Sequence, residues 1–167
     1  MKRTILALLA VLTISALTFT GLVLYSSQAE KPVENAINTP TAPLNADTVF
    51  NLVNAEREKA GHKPLMRDAR LDQSAQIKAD DMANNYYFDH VNPITGVRGN
   101  SLIPQGMCSY KSENIILVDN IGEKNTDAIK WWMNSKPHHD AILDTQYNLA
   151  GMAVNGDIGV MHFCNLR

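Results

Sequence analysis

The chain has 167 residues, 45% of them hydrophobic and 19% charged, with a formal net charge of -2. That is the make-up of one globular domain with room for a targeting segment. The Lys and Arg residues are scattered and form no stripe able to displace counterions from phosphates, which excludes nucleic acid as a partner.

Lys2 and Arg3 precede an uncharged stretch, residues 4–29, whose centre is almost wholly apolar. This is the pattern of an export signal, and Ser27 and Ala29 have the spacing that signal peptidase reads. An apolar run of about twenty residues can also span a bilayer. Residues 1–29 are therefore read as a signal peptide or an N-terminal membrane anchor, and in both cases the rest of the chain faces outward. Losing Lys2 and Arg3 with the leader would leave 13 basic against 17 acidic residues, a net charge of -4. Pro32, Pro40 and Pro43 among Thr, Asn and Ala mark residues 30–46 as a spacer. Residues 47–167 form the domain, large enough to bury roughly two thirds of its unfolded surface.

In chain order, Asp47 is expected to cap a helix carrying Val49, Leu52 and Val53 on one face, ended by the segment 61–64. A second helix follows from the spacing of Leu71, Ala75, Ala79, Met82 and Tyr86, with Asp72, Lys78 and Asp80 pointing elsewhere. Residues 91–107 hold two prolines and three glycines and read as a long loop. Residues 113–118 read as a strand. Thr126 is expected to cap a third helix through Ala128, Ile129, Trp132 and Met133, stopped near Pro137. The last segment is a hairpin, 152–154 and 158–163 around Asn155-Gly156, a dipeptide that readily takes positive φ. Helices early and between, with strands late, predict an α+β fold in which helices sandwich a small, mainly antiparallel sheet.

Cys108 and Cys164 are the two cysteines, and an oxidising destination makes them a disulfide candidate. Closing that loop stabilises by about 4 kcal/mol on the chain-entropy account. The alternative is a Cys108 nucleophile assisted by a histidine. It is disfavoured, because catalytic cysteines usually open a helix and this one lies in a Gly/Pro loop.

Three polar spots stand out: Tyr87-Phe88-Asp89-His90, Ser112-Glu113-Asn114-Ile115, and Trp132 to His138 with Ser135 between. Singly each reads as structural. Together, and with Leu52 to Arg57, Gly61, Pro64-Leu65, Asn92-Pro93, Gly96 and the run Asn148 to Val154, they closely resemble the CAP superfamily, in its bacterial branch. That superfamily joins cysteine-rich secretory, antigen 5 and pathogenesis-related proteins. The resemblance covers essentially all of residues 47–167. It implies a three-layer α-β-α sandwich and a cleft lined by His90, Glu113, Ser135 and His138. Ser135 stands where eukaryotic members carry a second acid. His138, not the adjacent His139, is assigned to the cleft by its three-residue step from Ser135.

Two imidazoles and one carboxylate can form a three-ligand site for zinc or another divalent metal, which makes His90, Glu113 and His138 candidate ligands. The same groups can equally brace the cleft by hydrogen bonds. Trp131 and Trp132 are expected in the core and cleft wall, and Tyr86, Tyr87 and Phe88 as a packed helix-end cluster. His162, two residues before Cys164 on the same strand face, is expected to pack near the bridge.

The resemblance implies a secreted or surface-anchored, non-enzymatic binding module. Its expected ligand is small and hydrophobic or comes from the cell envelope. The N-terminal segment is the part expected to contact membrane, and the protein is expected to be a monomer. The alternative functions are a metal-assisted hydrolase of peptide or cell-envelope material, with Glu113 as ligand or base, and a structural surface protein on a stalk. The exported protein should show no free thiol: titration of undenatured, unreduced material should label neither cysteine, and labelling of both would overturn the pairing.

Overall fold

A computed structural model describes residues 42–119 and 122–166; the expected leader and residues 30–41 of the spacer lie outside them. The first helix, α1 (Ala46–Lys59), starts two residues earlier than a cap at Asp47 implies. Its cap is Asn45, whose side-chain oxygen accepts the Thr48 N–H at 2.9 Å. Asp47 instead sits in the first turn, where a negative charge favours the helix N-terminus. Val49, Phe50 and Val53 are buried, and so is Arg57. The Arg57 guanidinium donates to the carbonyls of Lys63, Ile142 and Asp144 at 3.0, 2.6 and 2.8 Å. A buried cation is tolerable when its donors are met in this way.

Helix α2 (Ala69–Asn84) is capped by Asp68, and Leu71, Ala75, Ala79 and Met82 are buried as their spacing predicts. Two side chains depart from expectation. Lys78, expected outside, is 1% exposed, because its amine reaches the Tyr87 hydroxyl at 3.0 Å beyond the helix end. Tyr86, expected on the apolar face, is 95% exposed. The helix stops at Asn84, and Tyr86 takes φ 54, the left-handed position that reverses the chain so that Tyr87 N–H meets the Met82 carbonyl at 3.2 Å. Phe88 is also largely exposed, so of the expected aromatic cluster only Tyr87 is substantially covered.

The sheet has four strands, β1 (Met66–Arg67), β2 (Cys108–Leu117), β3 (Leu149–Asn155) and β4 (Ile158–Leu166), in the order β1-β3-β4-β2. β1, not anticipated, pairs parallel with β3; the other two pairings are antiparallel. β2 begins five residues earlier than expected, since its polar half, from Cys108, pairs with β4 on one side and stays open on the other. The β3–β4 turn is Gly156-Asp157, with φ 58 on Gly156, while Asn155 remains paired with Ile158. Glycine at the first turn position suits a tight hairpin.

Helix α3 (Lys124–Asn134) has no side-chain cap; its N-cap residue is Glu123, and Thr126 lies inside the first turn. Pro137 does not end the helical region. It falls in the first turn of a further helix, α4 (Lys136–Leu143), where a missing N–H costs nothing. α1, α3 and α4 enclose one core with Phe163, Met161, Met152 and Ile116 of the sheet. On the opposite face α2 packs Ala75, Ala79 and Met82 against Ile115, Ala153 and Val160. The architecture is the expected three-layer α-β-α sandwich. Trp132 is buried and donates its indole N–H to the Ile115 carbonyl at 2.9 Å, whereas Trp131, also expected to pack, is 65% exposed. Cys108 and Cys164 form a disulfide with Cα atoms 5.4 Å apart.

Tyr86 gives a direct test of backbone strain, because a nearly bare side chain at positive φ contributes little to packing. Tyr86→Gly should stabilise the domain by about 1 kcal/mol in urea unfolding; a loss of stability would mean that the ring makes contacts that outweigh the strain.

Candidate functional site

Asn92 builds the loop that carries His90. Its side-chain amide donates to both Asp81 oxygens at 3.0 and 2.9 Å, and its carbonyl oxygen accepts from the backbone of Ile94 and Thr95. Asp81 also accepts from the Tyr87 hydroxyl and from Asn85. Burial pushes the Asp81 carboxyl up, but these hydrogen bonds outweigh it and hold it below its ordinary range. The loop then folds back, with Gly99 N–H donating to the His90 carbonyl at 2.8 Å.

This brings His90 over β2, where its Nδ1 lies 2.8 Å from Glu113 Oε1. The Glu113 side chain is 3% exposed. Its other oxygen, Oε2, lies 2.9 Å from Nε2 of His162, the residue opposite it on β4. A bare carboxylate at that depth would cost several kcal/mol. Burial raises the Glu113 carboxyl, yet the hydrogen bonds from His162 and His90 and their positive potential bring it below the usual value.

His138 enters from α4, with Nδ1 2.8 Å from Ser135 Oγ and its ring centroid 6.4 Å from that of His90. Burial first, and then the proximity of His90, lower the His138 pKa. His139 points away, to Asp140 at 3.4 Å on the surface. The expected quartet therefore meets in one region, with Glu113 beneath and Ser135 holding His138.

His162 was not expected there. It is fully buried, bonded to Glu113 and to Ser74 Oγ at 2.7 Å, a polar link where sequence reasoning placed simple packing. The two cysteines alone would not have found it: set directly opposite each other they would place 159 against 113, whereas the register sets Lys111 opposite Cys164 and Glu113 opposite His162.

Two hollows adjoin the site. One, of about 380 Å³, is walled by Phe88, Ile115, Leu117, Trp131 and Trp132 and ends at Ser135 and His138. The other, of about 200 Å³, is polar and bounded by His90, Arg98, Asn100 and Glu113. Among the described residues, no three His, Cys, Asp or Glu side chains stand in an arrangement that could hold one metal ion. Each Glu113 oxygen is engaged by an imidazole, Oε1 by His90 at 2.8 Å and Oε2 by His162 at 2.9 Å.

The sequence pattern of the family described as "CAP: Cysteine-rich secretory protein family" matches residues 50–163. The chain belongs to the CAP family. It is 35% identical over 147 residues to the uncharacterised protein YkwD of Bacillus subtilis, covering 83% of this chain and 55% of that protein. It is 28% identical over 110 residues to the uncharacterised membrane protein YlbC of the same organism, covering 64% of this chain and 30% of YlbC. The CAP chain thus spans about half the length or less of these relatives.

Two solved structures are similar in fold, each with a TM-score of 0.64. One is an extracellular protein containing a SCP domain from Bacillus anthracis, at 24% identity, covering 71% of this chain and 39% of that one. The other is an outer surface protein from Borrelia burgdorferi, at 19% identity, covering 76% and 99%.

The lowered pKa values of His138 and Glu113 have the same sign in stability. Each group binds its proton less readily folded than unfolded, so stability is complete above the unfolded values and is lost as pH falls through the folded ones. Unfolding free energy should start to drop below about pH 6.5 and steepen below about pH 4.5. His138→Gln should flatten the first part of a urea-midpoint profile against pH, and an unchanged profile would contradict the assignment.

Proposed function

We propose that this CAP domain is an extracytoplasmic binding module whose cleft takes a small, partly apolar ligand and orients it with the histidines. The observation that carries the reading is the meeting of two unlike walls. An apolar hollow containing Phe88, Leu117 and Trp131, all substantially exposed, runs directly into Ser135 and His138, with the polar hollow at His90 beside it. Large apolar side chains held in water lose little by remaining uncovered singly, but grouped in one hollow they favour a ligand that covers them. A mostly apolar site with a few orienting polar groups is the usual form of a small-molecule site. Location outside the cytoplasm rests on the Lys2-Arg3 apolar leader and on the disulfide, which persists in oxidising surroundings.

Trp131 supplies the readout. Short-chain lipids and cell-envelope fragments, titrated with and without chelator, should change its fluorescence on binding. Phe88→Ala and His138→Ala should each weaken that binding about tenfold or more while circular dichroism stays unchanged. Chelator-sensitive cleavage of a peptide, ester or glycan library that disappears in Glu113→Gln would replace this reading with the metal-assisted hydrolase.

A further inference from the structure

Glu113 is gripped from two sides, and the hydrogen atoms available decide what each imidazole can show to the cleft. An ionised carboxylate accepts only. His162 Nε2 must therefore carry the proton it shares with Glu113 Oε2 at 2.9 Å. In the neutral ring its Nδ1 is then an acceptor, satisfied by the Ser74 hydroxyl at 2.7 Å, a closer partner than the Leu71 carbonyl at 3.0 Å. On the other side, His90 Nδ1 must donate to Oε1 at 2.8 Å, which leaves Nε2 of the neutral ring as a bare lone pair.

Gly99 completes the frame. A Cβ built on it would lie 1.8 Å from Oε2 and 2.6 Å from the carboxyl carbon, so the carboxylate fits only against glycine.

We propose that His162, backed by Ser74 and faced by Gly99, is a positioning residue that holds Glu113 as a fixed acceptor and so keeps His90 in the Nδ1–H form. His90 Nε2 is thereby a standing electron pair, able to accept a hydrogen bond from a hydroxyl or N–H group of a ligand. Fixing the tautomer of one imidazole through the partner on its other nitrogen is a general property of carboxylate–histidine pairs. The tautomer itself is independent of the ligand-binding reading; its use in ligand recognition rests on it.

The test needs no ligand. Long-range proton–nitrogen correlation spectra of the oxidised, purified protein, taken at about pH 8 where ordinary imidazoles are neutral, report each tautomer separately. The expected result is His90 as Nδ1–H and His162 as Nε2–H, two opposite forms on one carboxylate. His162→Phe keeps bulk but has no donor, and His90 should lose its single form and average between tautomers. His162→Gln restores a donor and should restore the His90 signal. Gly99→Ala should disturb His90 as His162→Phe does.

Wild-type His90 in the Nε2–H form overturns the proposal, as does a folded His162→Phe or Gly99→Ala protein whose His90 signal is unchanged. If His162→Phe does not fold, the wild-type spectrum and Gly99→Ala still decide. Loss of ligand binding alongside an intact His90 tautomer would count against the functional reading and leave the positioning role standing.

Discussion

A carboxylate that is only 3% exposed has to be compensated on both oxygens, and the region around Glu113 is arranged to do so. Strand register supplies the first partner: Glu113 lies opposite His162, and a slip of one residue would send either side chain to the other face of the sheet. The second partner arrives on a loop, which must leave α2, turn at Tyr86, close on Asn92 and return to β2 at Gly99. Sheet, helix end and loop therefore meet at one charge.

The opposite wall of the cleft is built without buried acid. α4 brings His138 to within 6.4 Å of His90, ring to ring, and Arg57 ties the end of that helix to α1 by two carbonyls. Asn114 donates to the His138 carbonyl at 3.1 Å, so β2 contacts both histidines, one through a carboxylate and one through an amide. This asymmetry explains why the two imidazoles differ: one is bonded to a charged acceptor, the other to the Ser135 hydroxyl in a partly buried niche where protonation is disfavoured.

Much of this could be seen in the sequence wherever a local rule governs. The apolar period of α2, a tight hairpin at Gly156 and the pairing of two cysteines rest on local geometry or on simple counting, and each has its counterpart in the structure, the turn lying one residue later than expected, at Gly156-Asp157. Residues whose surroundings are assembled from distant segments were not visible in that way. Lys78 carries a charge on what reads as a polar face, and its burial depends on Tyr87, nine residues on and past a chain reversal. His162 looks like a packing residue until β2 is laid beside β4 in register. Pro137 reads as a stop, but a proline near a helix start is compatible with two successive helices, and choosing between them needs the core that Ile142 enters. The cleft quartet came from the family resemblance, since no periodicity joins positions 90, 113, 135 and 138.

The disulfide has a topological consequence for the site. It closes a covalent ring between residues 56 apart in sequence, and the two strands that carry Glu113 and His162 are both threaded into it. β4 is also joined to β3 by a two-residue turn at its other end. The shared carboxylate thus lies between a covalent staple and a hairpin, and the edge strand cannot slide along its neighbour without breaking a bond. Geometry that elsewhere depends on packing alone is here inherited from connectivity, and the same staple that strengthens the fold also preserves the alignment of the proton-carrying groups.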